Sequence, residues 1–194
     1  MNSREYWNQT VAGYGLNFIS FMEFVQKKKV GKGDFGTIYL TTWTSTSERV
    51  ALKRISVNEE NEEAIKIFLK ELSIHNSSKH DRIIKLLGIS RDTNDSSDCY
   101  LIMEFADGGD LRSYLSMKKD ILEWEEKIRL STQIAEGVSY LHNELNVIHR
   151  DLHTKNILIR NSNIKISDFG LSKCLGSTTT INSKVQGILP FIDP

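Results

Sequence analysis

Cysteine is scarce in this sequence, which has only Cys99 and Cys174 among its 194 residues. The two cysteines lie far apart in unrelated contexts, so they match neither a disulfide framework nor the spacing of metal ligands. Because disulfides persist in oxidising compartments, we expect this chain to work in a reducing one.

The sequence also lacks net charge, since 25 lysines and arginines balance 25 aspartates and glutamates. A neutral chain produces no field that would attract nucleic acid or an anionic membrane surface. Long apolar runs are missing too, because the stretch Leu16–Val25 is interrupted by Glu23 and is too short to span a bilayer. The first residues show no basic-then-apolar signal pattern. We therefore expect a cytoplasmic or nuclear protein with neither nucleic acid nor membrane as a partner.

The stretch Val147–Asn156 carries the most chemical information. Apolar residues lead into it, Asn156 stands five positions after Asp151, and the apolar run Ile157–Ile159 follows. This layout predicts a loop between two short strands that turns a carboxylate and an amide to the same side. A carboxylate can accept a hydroxyl proton, and an amide oxygen can ligate Mg²⁺. Asp168, followed by Phe and Gly, offers a second oxygen ligand.

A glycine pattern of the form G-x-G-x-x-G is present at Gly31, Gly33 and Gly36. Taken alone it is weak, because it fits either a nucleotide-binding loop or a plain hairpin. The β-branched and aromatic residues at 37–43 predict a strand where a dinucleotide-binding fold needs a helix. A glycine-rich turn between two strands can lay backbone N–H groups over phosphates.

Further strands are predicted at 49–55, 83–89 and 99–105, and a helix at 58–77. Asn58 or Asn61 is a candidate N-cap for that helix, and Glu71 lies on the border of its apolar face. The residues of this face are Ala64, Ile67, Phe68, Leu72 and His75.

A second amphipathic helix is predicted over 123–143. Its expected core stripe consists of Trp124, Ile128, Ile134, Ala135, Val138 and Leu141. Five strands with one helix, followed mostly by helices, indicate an α+β arrangement. Residues 1–22 either pack loosely or form a short helix around Phe18–Phe24.

Together these motifs resemble the protein kinase superfamily. The resemblance implies a two-lobe fold in which residues 1–22 are an extension. Residues 23–105 would form an N-lobe with a five-stranded antiparallel sheet and one helix, and residues 106–194 a partial, mainly helical C-lobe. His153 and Lys155 stand where serine/threonine and tyrosine kinases place lysine or arginine. This mixture is similar to the tyrosine-kinase-like group and to expanded fungal kinase families.

The resemblance implies ATP and Mg²⁺ as cofactors. Lys53, paired with Glu71, would hold the phosphates, while Asn156 and Asp168 would chelate Mg²⁺ and Asp151 would orient the substrate hydroxyl. Otherwise Lys53 is an exposed strand lysine and Glu71 a surface glutamate. Other residues implied to contact the nucleotide are Val30, Gly31, Gly33, Gly36, Ile38, Ala51, Met103, Glu104, Ala106, Asp110 and Leu158.

Several positions leave more than one interpretation open. Asp110 would approach the ribose, but it is also a good N-cap for a helix that starts at Leu111. Because histidine is mostly neutral at pH 7, we expect Lys155 rather than His153 to contact the γ-phosphate. Arg150 implies regulation by an upstream kinase that phosphorylates the loop after Asp168. The candidate hydroxyls of that loop are Ser177, Thr178, Thr179, Thr180 and Ser183.

The end of the sequence departs from the family pattern. Residues 185–194 resemble the segment that receives a protein substrate, but Ile188 replaces a threonine that serine/threonine kinases use there. The chain stops at Pro194, and the family's later helices would then be absent, which would expose apolar residues. The sequence therefore predicts an ATP-dependent protein kinase for serine or threonine. The alternatives are an impaired nucleotide-binding or scaffold module and a fragment without function.

Overall fold

A computed structural model describes residue 13 and residues 15–33, 36–55, 62–92 and 98–174. The chain divides into two compact units. The first unit contains Met1–Asn76 and Lys85–Phe105, and the second contains Ser77–Ile84 and Ala106–Pro194. The sequence predicts a single boundary, between residues 105 and 106. In the structure, residues 77–84, which come before that boundary, also belong to the second unit.

The first unit is built on a five-stranded sheet. Its strands are β1 (Phe24–Gly33), β2 (Gly36–Trp43), β3 (Glu48–Ile55), β4 (Leu86–Arg91) and β5 (Cys99–Glu104), and the helix α1 spans Glu62–Ser77. Every neighbouring pair of strands is antiparallel, and the strand order is β1-β2-β3-β5-β4. This sheet and helix α1 confirm the predicted α+β class.

The strand predicted at 83–89 begins later than expected, at Leu86. The preceding residues pair elsewhere, because Ile84 N donates to Ile166 O and Ile166 N donates to Arg82 O, both within the second unit. Ile83 and Ile84 are buried. An apolar run signals burial, but it does not say which backbone the run will pair with.

Within the first unit, the segment before the sheet packs against β4. Ile19 is buried, its N–H donates to Ile89 O, and Ile89 N donates back to Asn17 O. The short helix expected around Phe18–Phe24 is a single 3₁₀ turn, Phe21–Glu23. This segment supplies hydrogen bonds to β4, the edge strand of the sheet, and an unpaired edge strand is a site for unwanted pairing.

Helix α1 ends at Ser77, as predicted, while the predicted caps Asn58 and Asn61 lie outside the described residues. Its buried face includes Phe68, Leu72 and His75. The interpretation of Glu71 as a border residue is wrong, because Glu71 is fully buried on this face. Its spacing from Phe68 and His75 is that of one helix face, but glutamate is so rarely buried that hydrophobicity alone places it outside.

The part of the second unit that the structure describes contains two helices, α2 (Leu111–Lys118) and α3 (Trp124–Asn143). Asp110 caps α2 as predicted, since its Oδ1 accepts a hydrogen bond from Ser113 N at 2.9 Å. Among the described residues, no helix has the length and hydropathy of a membrane span. The strands of this unit pair as β6 (Val147–Ile148) with β9 (Lys173–Cys174) and as β7 (Ile157–Arg160) with β8 (Asn163–Ile166).

Helix α3 buries a different face from the predicted one. Its buried residues are Leu130, Gln133, Gly137 and Leu141, so Leu141 alone is buried among the predicted stripe of Trp124, Ile128, Ile134, Ala135, Val138 and Leu141. Trp124 and Ile128 are 67% and 50% exposed.

Contacts with β8 explain this choice of face. Gln133 Oε1 accepts a hydrogen bond from Ile164 N at 2.9 Å, and its Nε2 donates to Asn163 Oδ1 at 2.9 Å. Gly137 allows close packing, because a Cβ there would lie 2.7 Å from Ile166 Cδ1. A glutamine and a glycine therefore decide which side faces the strand, and neither counts as apolar in a periodicity argument.

Replacement of Gln133 tests this explanation. Gln133→Ala leaves the buried N–H of Ile164 without its acceptor, so we expect the free energy of unfolding to fall by about 1–3 kcal/mol. Urea unfolding measures the change. Thr132→Ala, on the exposed side of the same helix, is the matched control and should change the value by less than about 0.5 kcal/mol. Equal effects of the two substitutions would contradict the assigned role of Gln133.

Candidate functional site

A buried ion pair joins β3 to α1 in the first unit. Lys53 Nζ lies 2.7 Å from Glu71 Oε1 and 2.8 Å from Oε2, and the two side chains are 6% and 1% exposed. The interpretation of these residues as an exposed strand lysine and a surface glutamate is therefore wrong. A carboxylate that contacts one ammonium through both oxygens fixes the position of that ammonium.

Opposing effects act on the Glu71 carboxylate. Burial raises the pKa of Glu71, but the positive charge of Lys53 and the nearby imidazole of His75 outweigh it and lower the pKa to about 2. His75 Nε2 lies 3.8 Å from Glu71 Oε1. Because the pKa is so low, Glu71 stays ionised at neutral pH.

Cross-strand register places several predicted nucleotide contacts next to this pair. Ile38 in β2 pairs with Gly31 in β1 and with Lys53 in β3. Ala51 pairs with Met103 across β3 and β5. Since residues that oppose each other in a sheet are neighbours, the structure brings these residues together in adjacent rows.

The glycine loop connects β1 and β2, and Gly33 pairs with Gly36 at its base. Gly36 has a positive φ of 147°, and a Cβ there would lie 2.2 Å from Arg54 O. Glycine is therefore required at this position by packing against β3. Val30 in β1 is half exposed, while residues 34–35 at the tip of the loop lie outside the described residues.

The end of β5 holds two of the predicted nucleotide contacts. Glu104 is buried, its side chain accepts a hydrogen bond from Lys85 N at 3.0 Å, and its own N–H donates to Lys85 O at 3.0 Å. These bonds fix the backbone at Glu104. Met103 beside it is buried in the sheet.

In the second unit, Asp110 and Leu158 form an isolated β-bridge, so these two predicted contacts are adjacent. Ser113 N and Oγ donate to the two carboxylate oxygens of Asp110, both at 2.9 Å. Both oxygens of this carboxylate therefore accept a hydrogen bond from Ser113, which supports the capping interpretation of Asp110 and leaves each oxygen a further lone pair. Ala106 is buried nearby in sequence, before the turn at Gly109.

The loop that links β6 to β7 holds Asp151 and Asn156 together, as predicted. Asn156 Nδ2 donates to Asp151 O at 2.9 Å and to Asp151 Oδ2 at 3.1 Å. Because Nδ2 faces the aspartate, the amide oxygen of Asn156 lies on the other side. The loop thus presents a carboxylate and an amide oxygen from one rigid arrangement.

Asp168 is connected to the same loop through its neighbour Ser167. Ser167 N and Ser167 Oγ both donate to Asn156 O, at 2.9 Å and 3.0 Å. Asp168 itself has a φ of 66°, a left-handed conformation that aspartate tolerates better than most residues. The two predicted metal ligands, Asn156 and Asp168, are therefore held through adjacent backbone.

His149 has a positioning role that sequence reasoning missed. Its Nε2–H donates to Ser167 O at 3.0 Å, and its Nδ1 accepts from Asp151 N at 3.3 Å. Burial lowers the pKa of His149 below its ordinary value, so the imidazole is neutral with its proton on Nε2. A histidine two residues before the catalytic candidate is the signal that could have predicted this bridge.

Arg150 connects the loop to the chain after Gly170. It has a φ of 64°, and its Nε donates to Leu171 O at 2.7 Å. Lys155 is exposed. The predicted phosphorylation hydroxyls at 177–183, Ile188 and the predicted substrate-binding segment lie outside the described residues.

The Lys53–Glu71 pair generates a stability prediction. Lys53→Met leaves a buried carboxylate without its ammonium, so we expect the free energy of unfolding to fall by about 3–5 kcal/mol at pH 7. Lys29→Met, at an exposed lysine of the same sheet, should change it by less than about 0.5 kcal/mol.

The same pair sets a pH dependence in the wild-type chain. The folded pKa of Glu71, about 2, lies below its ordinary value of 4.5. Its stabilising contribution is therefore complete above pH 4.5 and is lost as pH falls toward 2. Urea unfolding between pH 7 and 3 should show the cost of Lys53→Met shrinking in that interval. A pH-independent difference would contradict the pairing.

The chain is similar to known protein kinases over most of its length. A family model described as the protein kinase domain matches residues 24–194. A probable serine/threonine-protein kinase of Dictyostelium discoideum is 37% identical over 169 residues, which cover 86% of this chain and 18% of the relative.

Two further relatives, one of them a tyrosine kinase, have sequence identities in the same range. The tyrosine-protein kinase Fer of Rattus norvegicus is 39% identical over 145 residues, covering 74% of this chain and 17% of the relative. The L-type lectin-domain containing receptor kinase V.5 of Arabidopsis thaliana is 32% identical over 177 residues, covering 88% and 26%. This chain therefore spans about a quarter or less of the length of these curated relatives.

Proposed function

The chain belongs to the protein kinase family, and from that premise we propose that it transfers the γ-phosphate of Mg·ATP to a serine or threonine hydroxyl of a protein. The observation that carries the proposal is the hydrogen bond from Asn156 Nδ2 to Asp151 Oδ2. It joins the candidate base to a candidate metal ligand in one loop, and phosphoryl transfer depends mainly on such positioning.

Lys53 holds the phosphates of ATP in this proposal. Its ammonium is fixed by both oxygens of Glu71, so it does not have to be ordered when the nucleotide binds. Gly31, Gly33 and Gly36 supply backbone N–H groups over the triphosphate. Adenine and ribose are contacted by Val30, Ile38, Ala51, Met103, Glu104, Ala106, Asp110 and Leu158.

Asn156 and Asp168 hold Mg²⁺. An amide oxygen and a carboxylate are the hard ligands that this ion prefers, and Mg²⁺ characteristically takes few protein ligands and completes its shell with water and phosphate oxygens. The Asn156 amide oxygen faces away from Asp151, as such a ligand requires. Mg²⁺, when bound, neutralises charge on the phosphates.

Asp151 accepts or orients the substrate hydroxyl. Lys155, an exposed cation in the same loop, contacts the γ-phosphate. The protein substrate binds at residues 185–194, and an upstream kinase acts on the hydroxyls of residues 177–183, whose phosphate Arg150 recognises. The relative from Dictyostelium discoideum, a probable serine/threonine-protein kinase, supports serine/threonine specificity.

Asp151→Asn separates binding from transfer. The substitution removes the base while keeping the shape of the side chain, so we expect phosphate incorporation into a generic protein substrate to fall by roughly 10²–10⁴-fold. The thermal shift produced by Mg·ATP should be unchanged. Wild-type binding without transfer would instead support a nucleotide-binding or scaffold module, and neither binding nor transfer would support a fragment without function.

Lys155→Met tests which cation meets the γ-phosphate. Because a lysine side chain is a cation at neutral pH and a histidine side chain is mostly uncharged there, we expect Lys155→Met to lower kcat by roughly 10²-fold or more. His153→Ala should lower kcat considerably less. Steady-state kinetics with saturating Mg·ATP measure both, and the opposite order would refute the assignment of Lys155.

A further inference from the structure

We propose that His153 is a positioning residue for Asp151: the Nε2–H of His153 faces one carboxylate oxygen, Oδ2, so that the other, Oδ1, receives the substrate hydroxyl. This inference rests on the proposed function of the chain as a protein kinase. It assigns a use to a residue at a position where related kinases place a cation, and it leaves Lys155 as the partner of the γ-phosphate.

The tautomer of His153 follows from its backbone contact. Lys155 N donates a hydrogen bond to His153 Nδ1 at 3.1 Å. A ring nitrogen that accepts a hydrogen bond carries no proton, so in the neutral imidazole the proton lies on Nε2. The bond therefore fixes both the orientation of the ring and the identity of the nitrogen that can donate.

The donor nitrogen faces Asp151. His153 Nε2 lies 3.7 Å from Asp151 Oδ2, and the two side chains are 9% and 14% exposed. This distance exceeds that of a hydrogen bond, so the contact is one between the N–H dipole and the carboxylate charge. Limited exposure reduces solvent screening of such a contact, and catalytic contacts often shorten when substrate binds.

Two donors thus converge on the same oxygen. Asn156 Nδ2 donates to Asp151 Oδ2 at 3.1 Å, and His153 Nε2 faces that oxygen from a second direction. Among the described residues, both side-chain groups that approach this carboxylate lie at Oδ2. Oδ1 is consequently the oxygen turned toward an incoming hydroxyl, and rotation of the carboxylate about its Cβ–Cγ bond would break two favourable contacts.

His80 provides an internal comparison. Arg82 N donates to His80 Nδ1 at 3.1 Å, in the same two-residue pattern as Lys155 and His153. The ring of His80, however, stacks on Tyr140 with centroids 4.7 Å apart. The backbone bond is therefore a local motif that His80 and His153 share, and the carboxylate at Nε2 is what distinguishes His153.

The His153 imidazole accepts a hydrogen bond from Lys155 N through Nδ1 and faces Asp151 with Nε2. Asparagine and glutamine variants test these two contacts separately. His153→Asn keeps an acceptor for Lys155 N–H, since asparagine oxygens cap backbone N–H groups two residues on, but it removes the donor that faces Asp151. His153→Gln places an amide N–H near the position of Nε2 and loses the close backbone acceptor. His80→Asn is the matched control.

Steady-state kinetics give the first test. We expect His153→Asn to lower kcat roughly tenfold, with the KM for ATP changed by less than about twofold. His153→Gln should stay within about threefold of wild-type kcat, and His80→Asn should leave kcat unchanged. Wild-type kcat for His153→Asn, or a larger loss for His153→Gln than for His153→Asn, would overturn the proposal.

Imidazole ¹⁵N NMR gives a test that does not depend on activity. The His153 Nδ1 resonance should be that of a hydrogen-bond acceptor and the Nε2 resonance that of an N–H donor, and Asp151→Asn should shift the His153 Nε2 resonance more than that of His80. A proton on Nδ1, or equal shifts at His153 and His80, would overturn the proposal. Absence of phosphate transfer by the wild-type chain would contradict the proposed function, while these spectra would still decide the role of His153.

Discussion

The packing of β3 against α1 in the first unit depends on the ion pair of Lys53 and Glu71. Removing two charges from water costs several kcal/mol per ion, and their attraction offsets this only when the geometry is good and the surrounding hydrogen bonds are satisfied. Here both carboxylate oxygens contact the ammonium. The strand β3 and the helix α1 must therefore keep a fixed register, and the apolar residues Phe68 and Leu72 on the same helix face provide the burial that maintains it.

In the second unit, hydrogen bonds rather than an ion pair hold the candidate catalytic residues in position. The loop between β6 and β7 has little regular structure, so its backbone polar groups need other partners. His149 bridges Asp151 N and Ser167 O, while Asn156 binds the Asp151 side chain and, through its carbonyl, Ser167. The side chains of His149 and Asn156 each contact two groups, so this hydrogen-bond network holds the loop in one arrangement.

The sequence predicted those features that depend on local chemistry and failed where tertiary contacts decide. The strands of the sheet, the cap at Asp110 and the approach of Asn156 to Asp151 follow from β-propensity, capping and spacing. The burial of Glu71 could not be read from hydrophobicity, because its environment is created by a lysine on another element. The buried face of α3 was likewise set by Gln133 and Gly137, whose value depends on the strand they meet.

The contacts of each motif residue show whether the fold alone explains its presence. Residues that the fold does not explain are stronger evidence for a function. Gly36 is required by its packing against Arg54 O, and Asp110 caps a helix, so each residue has a structural reason to be present that does not depend on a ligand. Lys53 and Glu71 differ, because well-packed apolar residues of similar volume often stabilise a fold as well as a buried ion pair does. A chain that places a charged pair where apolar residues would serve the fold equally well has a use for the ammonium it positions. The buried ion pair therefore supports a phosphate-binding role more strongly than the glycine pattern does.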